Sequence, residues 1–275
     1  SMAGRPTGPF SSLPVRIATG VLYGAVLVWV IYFGGHLLLA ILMAALGALA
    51  VSELYRMTRR ERRTLAELCG FVAVAAMPVV ASFWGLSALF LVMTALVAAS
   101  LVWHVYFVNL RIADTTLVVF GAAYIGFALA HFVLIRGLED GVFLALAVLV
   151  GVWASDVLAY FVGSLIGSHK LAPRISPAKS WEGFVAGTLG TVGVWLALPL
   201  LVETTLTLSW RIVIGIALAL AALVGDLFES RIKREVGVKD SGNLMPGHGG
   251  FLDRIDSLLL VSVIAYYLLL AGGIR

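Results

Sequence analysis

The residues able to do chemistry gather in two stretches of an otherwise apolar chain. The richer one runs from Ser230 to Ser257, SRIKREVGVKDSGNLMPGHGGFLDRIDS. Asp226 stands just before it. Asp226, Ser230 and Lys233 fall at i, i+4 and i+7, so a helix would set a carboxylate, a hydroxyl and an ammonium along one face. Pro246-Gly247-His248-Gly249-Gly250 has little side-chain bulk and leads into an apolar run. Free backbone N–H groups at a helix start there would suit an anion. Asp253 and Asp256 follow, one turn apart, with Arg254 between them. Carboxylates from two helices can bracket a hard divalent cation, and Mg²⁺ typically takes one or two carboxylates together with substrate phosphates.

The second stretch runs from Ser155 to Gly183, SDVLAYFVGSLIGSHKLAPRISPAKSWEG. Asp156, Tyr160 and Gly163 share a helical face. Gly163, Gly167, Pro173 and Pro177 predict an irregular loop. Lys170, Ser176, Lys179 and Ser180 are donors suited to phosphate, and Glu182 opens the next helix. A plainer reading makes this segment a solvated loop with Ser180 as a helix cap.

The elements that must position these residues are membrane helices. Only 12% of the 275 residues are charged and 61% are apolar, against about 25% and 45–50% in soluble domains. Mean hydropathy is +1.04. That balance excludes a water-soluble globule and also a disordered chain. One cysteine, Cys69, excludes a disulfide framework and a multi-cysteine zinc site. The long continuous apolar runs exclude the alternating pattern of a barrel, leaving helices as the way to satisfy the backbone in lipid. The expected fold is an all-α integral membrane protein, a polytopic bundle of about nine transmembrane helices.

The nine spans run roughly over 17–33, 37–55, 68–84, 86–103, 115–135, 142–162, 184–202, 213–228 and 251–270. Gly34-Gly35-His36 predicts a tight hairpin, Pro78 a kink, and Gly225-Asp226 an interruption near the end of the eighth span. Ser1-Met2 reads as a cloning scar. The division expected is a polar tail over 1–13, N-terminal transmembrane helices over 14–140, and a catalytic transmembrane region over 141–275.

With the N-terminus assigned to the cytoplasm, sixteen of the 19 Lys and Arg lie on that side, five of them in the Arg-rich 56–63 loop. Only Arg136, Arg211 and Arg275 lie on the other, a strong positive-inside signal. Asp156, Glu182, Asp226, Glu229, Glu235, Asp240, Asp253 and Asp256 share the cytoplasmic side. The pI near 9.4 follows from this bias and argues for no nucleic-acid partner. Ionisable groups near lipid are expensive and mark function. Their collection at one face, with no mirrored second half, sets transport aside. His36 and His104 read as interfacial, and His131 as a packed side chain.

The spacing from Ser230 to Asp256, S-x-x-K-R-x(4)-K-D-x-G-N-x-x-P-G-H-G-G-x-x-D-R-x-D, resembles the signature of phosphatidate cytidylyltransferases. The block from Asp156 to Gly183, with its D-x-x-A-Y-x-x-G and S-P-x-K-S-x-E-G elements, looks like the same family's second motif. The likeness is residue-specific over roughly 156–257. Ser164 and Ser168 depart from it, standing where Lys or Arg is expected.

The resemblance implies transfer of CMP from CTP to phosphatidate, giving CDP-diacylglycerol and pyrophosphate by in-line attack on the α-phosphorus. The site would lie at the cytoplasmic face of a cell (inner) membrane, with the C-terminus on the opposite side. Asp226, Asp253 and Asp256 are the expected metal ligands. Lys233, Lys239, Arg234, His248 and Arg254 would hold phosphates, with backbone donors at Gly247, Gly249 and Gly250. Ser176, Lys179, Ser180 and Ser230 would steady the substrates, and Asp156 and Glu182 would support them. Mg²⁺ is the implied cofactor, as one or two ions, with a monovalent cation such as K⁺ a further candidate. The implied partners are CTP, phosphatidate, membrane lipid and a second copy in a homodimer. A related CTP-dependent membrane enzyme acting on another lipid, of the CDP-archaeol synthase or polyprenol kinase type, is the alternative. A CDP-alcohol phosphatidyltransferase is set aside, because Asp140-Gly141 lacks the pattern that family needs.

Overall fold

The computed structural model describes residues 13–58, 65–107, 111–242 and 249–275. Among them nine helices carry nearly all the regular structure. They are α1 (Leu13–Phe33), α2 (Gly35–Thr58), α3 (Leu65–Trp84), α4 (Leu86–Tyr106), α5 (Ile112–Arg136), α6 (Gly141–Ile166), α7 (Trp181–Ala197), α8 (Leu208–Glu235) and α9 (Leu252–Ala271). Helices α2 to α9 are long and apolar enough to cross a membrane, and α1 adds a shorter apolar stretch, Ala18–Phe33. Large apolar side chains such as Leu91, Leu101, Val150, Leu189 and Leu220 are exposed around the bundle, a surface that only lipid can solvate. The protein is an all-α polytopic membrane protein.

The helices coincide with the nine expected spans, with two local differences. Helix α8 does not break at Gly225-Asp226 but runs unbroken to Glu235. Gly225 is there for packing: a Cβ on it would stand 2.7 Å from the Asp256 carbonyl oxygen, so its absence lets α8 and α9 touch backbone to backbone. A glycine inside a helix costs about 1 kcal/mol against alanine, and the close contact offsets it. Helix α3 holds Pro78 inside it. Second, the loop expected around residues 167–180 contains a hairpin. Strand β1 (Lys170–Ala172) pairs antiparallel with β2 (Ser176–Ser180), Lys170 opposite Ser180 and Ala172 opposite Ser176. Strands this short display no readable alternation.

Small residues set the approach of α6 and α7. On α7, a Cβ at Gly183 would meet the Ala159 carbonyl oxygen at 2.6 Å, and one at Gly187 the Ser155 carbonyl oxygen at 2.8 Å. This G-x-x-x-G spacing is the familiar device for close helix contact in lipid, where burial of apolar surface gives little drive. Thr191 Oγ1 then donates across to the Gly151 carbonyl at 3.1 Å.

Alternation of the spans gives the bundle two ends. At one, Gly35 (φ +69°) turns α1 into α2, Arg136 Nε donates to the Ile31 carbonyl at 2.9 Å, and the Glu139 N–H donates to the carbonyl of Arg275 at 2.7 Å. At the other end lie the hairpin, the end of α8 and the start of α9.

Candidate active site

Helices α8 and α9 bring the predicted charges together. Ser230 Oγ donates to Asp226 Oδ1 one turn away, at 3.2 Å. One turn further on, Lys233 leans across to α9, where its Nζ lies 2.6 Å from Asp253 Oδ1 and 3.2 Å from Glu229 Oε2. The other Asp253 oxygen accepts the Ser241 N–H and hydroxyl, each at 3.0 Å, and the Gly250 N–H at 2.9 Å. Asp253 was expected to be a metal ligand. In this structure one of its oxygens meets Lys233 and the other closes the loop before α9. The Gly250 N–H, expected to face a phosphate, serves that loop too. Gly249 adopts φ +81°, a left-handed conformation that favours glycine.

The hairpin and α6 complete the site from the other side. Lys179 on β2 reaches Asp226 Oδ2, Nζ to oxygen 2.5 Å. A cavity of about 310 Å³ opens beside this pair, lined by Asp156, Tyr160, Ser176, Lys179, Ser180 and Asp226 among others. A second cavity, of about 210 Å³, lies between α1, α6 and α9 and is lined by Tyr23, Trp153, Asp156, Asp253, Arg254 and Asp256. Asp156 borders both, so the two chambers meet at one carboxylate.

Ser180 is the N-cap of α7, its Oγ accepting the Gly183 N–H at 3.2 Å, and it also borders the larger of these two cavities. Glu182 lines neither of them. It binds His169 Nδ1 at 2.6 Å and Ser168 Oγ at 2.8 Å, bracing the entry to the hairpin. Ser168, the departure noted in the sequence, thus finds a partner in Glu182. Arg234 and Lys239 are exposed, and Gly247 and His248 lie outside the described residues.

Three residues join the site unannounced. Glu229 is fully buried in α8. Its Oε1 has no hydrogen-bond partner among the described residues, and its carboxyl lies within electrostatic range of Asp256. Its i,i+4 spacing to Lys233 is the one signal the sequence held, and such a pair normally reads as a surface pair. Glu53, on α2, is 1% exposed and accepts the Leu252 N–H at 2.9 Å and the Ser241 hydroxyl at 3.1 Å. Tyr124 sits in a π-helical turn of α5, Ala122–Gly126, its hydroxyl buried without a hydrogen-bond partner among the described residues and within electrostatic range of Asp256, Glu229 and Asp226.

Among the described residues no group of three or more His, Cys, Asp or Glu forms a ready-made metal cage. The donors are nonetheless of the kind a hard cation takes. Glu229 and Asp256 are like charges within electrostatic range of each other, an arrangement that a proton or a cation relieves, and the unpartnered Glu229 oxygen is free to accept one.

The chain matches the cytidylyltransferase family over residues 14–271. It is 35% identical over 264 residues to a phosphatidate cytidylyltransferase of Bacillus subtilis (strain 168), an alignment covering 92% of this chain and 96% of the relative. It is 40% identical over 181 residues to one of Haemophilus influenzae, covering 64% of this chain and 62% of the relative. With one of Mycobacterium leprae (strain TN) it shares 42% identity over 159 residues, covering 57% and 50%. With a match that takes in every helix from α2 to α9, and with clustered lysines and carboxylates suited to a nucleotide's phosphates, the chain belongs to the cytidylyltransferase family.

Proposed function

We propose that this membrane nucleotidyltransferase moves CMP from CTP to phosphatidate at the cytoplasmic end of the bundle. The phosphatidate phosphate is itself the nucleophile. One of its oxygens bonds to the α-phosphorus of CTP as the α–β bridging bond breaks, so CDP-diacylglycerol forms and pyrophosphate leaves. No protein nucleophile is required. The work left to the chain is charge neutralisation, alignment and exclusion of water.

The observation that carries this reading is the pairing of Lys179 with Asp226 and of Lys233 with Asp253, from three separate elements, around two cavities that are both lined by Asp156. Polyanionic substrates would draw Lys179 and Lys233 toward phosphate oxygens and release Asp226. Asp226 and Asp256, with Glu229 behind them, would hold Mg²⁺. When bound, the ion supplies Lewis-acid neutralisation of the triphosphate and of the departing pyrophosphate. Asp253 keeps Lys233 aimed, and Arg254 faces the smaller chamber.

A lipid substrate also needs room for its tails. An apolar cavity of about 360 Å³ lies between α5, α8 and α9, lined by Phe120, Tyr124, Val224, Phe228, Leu260 and Val263 among others. Val224 and Phe228 are also exposed on the lipid-facing side of α8. Gly225, beside Asp226, lines this cavity as well, so an acyl chain there would keep its headgroup within reach of the charged pairs. The excess of Lys and Arg at this end supports a cytoplasmic orientation in a cell membrane.

Position-labelled CTP tests the reaction. With purified protein, phosphatidate and Mg²⁺, label at the α-phosphorus is expected to enter the lipid, with one pyrophosphate released per lipid labelled. Label entering from the γ-phosphorus would make the enzyme a kinase and overturn the reading. Chelation of Mg²⁺ is expected to abolish transfer.

A further inference from the structure

We propose that Glu53, from the N-terminal half of the chain, is a positioning residue that holds Asp253, and through it Lys233, in working geometry. The inference rests on the function proposed above.

Glu53 lies in the last turns of α2, a helix otherwise almost wholly apolar. A carboxylate buried in such a place is expensive, so its contacts must repay close reading. Its Oε2 accepts the N–H of Leu252, the first residue of α9 and 199 positions away. An anion there meets the positive end of the α9 dipole and satisfies a donor that α9 itself leaves open. The same oxygen accepts the Ser241 hydroxyl. The Ser241 hydroxyl lies 3.1 Å from Glu53 Oε2 and 3.0 Å from Asp253 Oδ2, so its one proton is shared between the two carboxylates, while the backbone N–H donates to Asp253. One residue therefore ties two carboxylates from distant helices into a single frame.

The loop is shaped to fit this carboxylate. A Cβ at Gly242 would stand 2.6 Å from Glu53 Oε1, and one at Gly250 would collide with Glu53 Oε2 and Ser241 Oγ. Two glycines of the segment joining α8 to α9 thus close on Glu53. The chain of contacts then runs from Glu53 through Ser241 to Asp253, and from Asp253 to the Lys233 ammonium. Glu53 touches neither of the two substrate chambers. Its action is on the aim of Lys233.

The test is a double-mutant cycle on the full-length enzyme, with kcat and both KM values measured from phosphatidate-dependent release of pyrophosphate. Glu53→Ala is expected to lower kcat about 50-fold and to move each KM less than about threefold, a coupling of the size seen within one hydrogen-bond network. Glu53→Gln keeps an oxygen for the Leu252 N–H and is expected to recover kcat to within about fivefold of wild type. Ser241→Ala should lower kcat, and the Glu53→Ala, Ser241→Ala pair should be no worse than the weaker single variant. Unchanged kcat in Glu53→Ala, or losses that multiply in the double variant, overturn the proposal. So does a fall in melting temperature with kcat retained, which would leave Glu53 a purely structural cap. If Glu53→Ala cannot be recovered folded, the cycle is run under the same criteria with Glu53→Asp, whose shorter side chain withdraws the carboxylate from Leu252 and Ser241. A wild-type enzyme that releases no pyrophosphate with phosphatidate would sink the proposed function itself, an outcome separate from an active wild type with indifferent variants.

Discussion

The two ends of the bundle use polar groups in opposite ways. At the end holding the α1–α2 hairpin, polar side chains close off backbone. Arg136 caps the carbonyl of Ile31, and His36 Nε2 lies 2.9 Å from the carbonyl of Val133. The first satisfies an acceptor that a helix end leaves open, and the second adds to the Gly137 N–H already bound to the Val133 carbonyl. At the other end, carboxylates and lysines face one another across helices, several of them beside cavities. The backbone there is capped as well, but by Ser180, Asp253 and Glu53, so the remaining charges exceed what the fold requires. An excess of charge over structural need is what separates a working end from a sealing end in a chain that must otherwise stay apolar.

That contrast can be broken, starting where the largest effect is expected. Asp226→Asn should lower kcat about 10³-fold, in the upper range for removing one electrostatic contact to a transition state, while protein extracted in detergent keeps its melting temperature. Activity retained by both Asp226→Asn and Asp256→Asn would remove the metal assignment. Lys179→Met should lower kcat/KM for CTP about 10²-fold, measured by the same pyrophosphate release. Gly225→Ala drives a methyl at the Asp256 carbonyl, and overpacking of this kind costs about 1–3 kcal/mol. A lower melting temperature and a fall in kcat are expected together. Glu182→Gln should cost less than about threefold in kcat, because Glu182 braces the hairpin and not the chambers. At the sealing end, Arg136→Gln should leave kcat within about twofold and cost about 1 kcal/mol of stability, the worth of one hydrogen bond. A strong loss of activity from Arg136→Gln would end the distinction between the two ends.

How much of this was legible in the sequence depends on the range of the signal. Apolar runs of membrane length and the lopsided Lys and Arg counts are summed over many residues, and the nine helices follow from them. Asp226, Ser230 and Lys233 were legible because helical spacing is local, and the structure keeps them on one face. Glu53 was not. A lone acid beside an arginine-rich loop reads as an interfacial charge, and its partners lie 188 and 199 positions away. Gly225 misled for a related reason, since a glycine that permits close packing is written the same way as one that ends a helix. The hairpin escaped because three- and five-residue strands lack a period. Glu182, expected in support of the substrate-binding residues, turns to His169 and Ser168, because successive residues on β2 and α7 point to different neighbours.

The Lys179–Asp226 pair has one more consequence. With no nucleotide present, this cation already has a resident counter-charge and has little need of dissolved ions. An arriving triphosphate displaces a carboxylate more than it sheds small anions into solution. Nucleotide affinity should therefore weaken less steeply with added electrolyte than it would in an open groove of bare lysines, where screening acts on every contact.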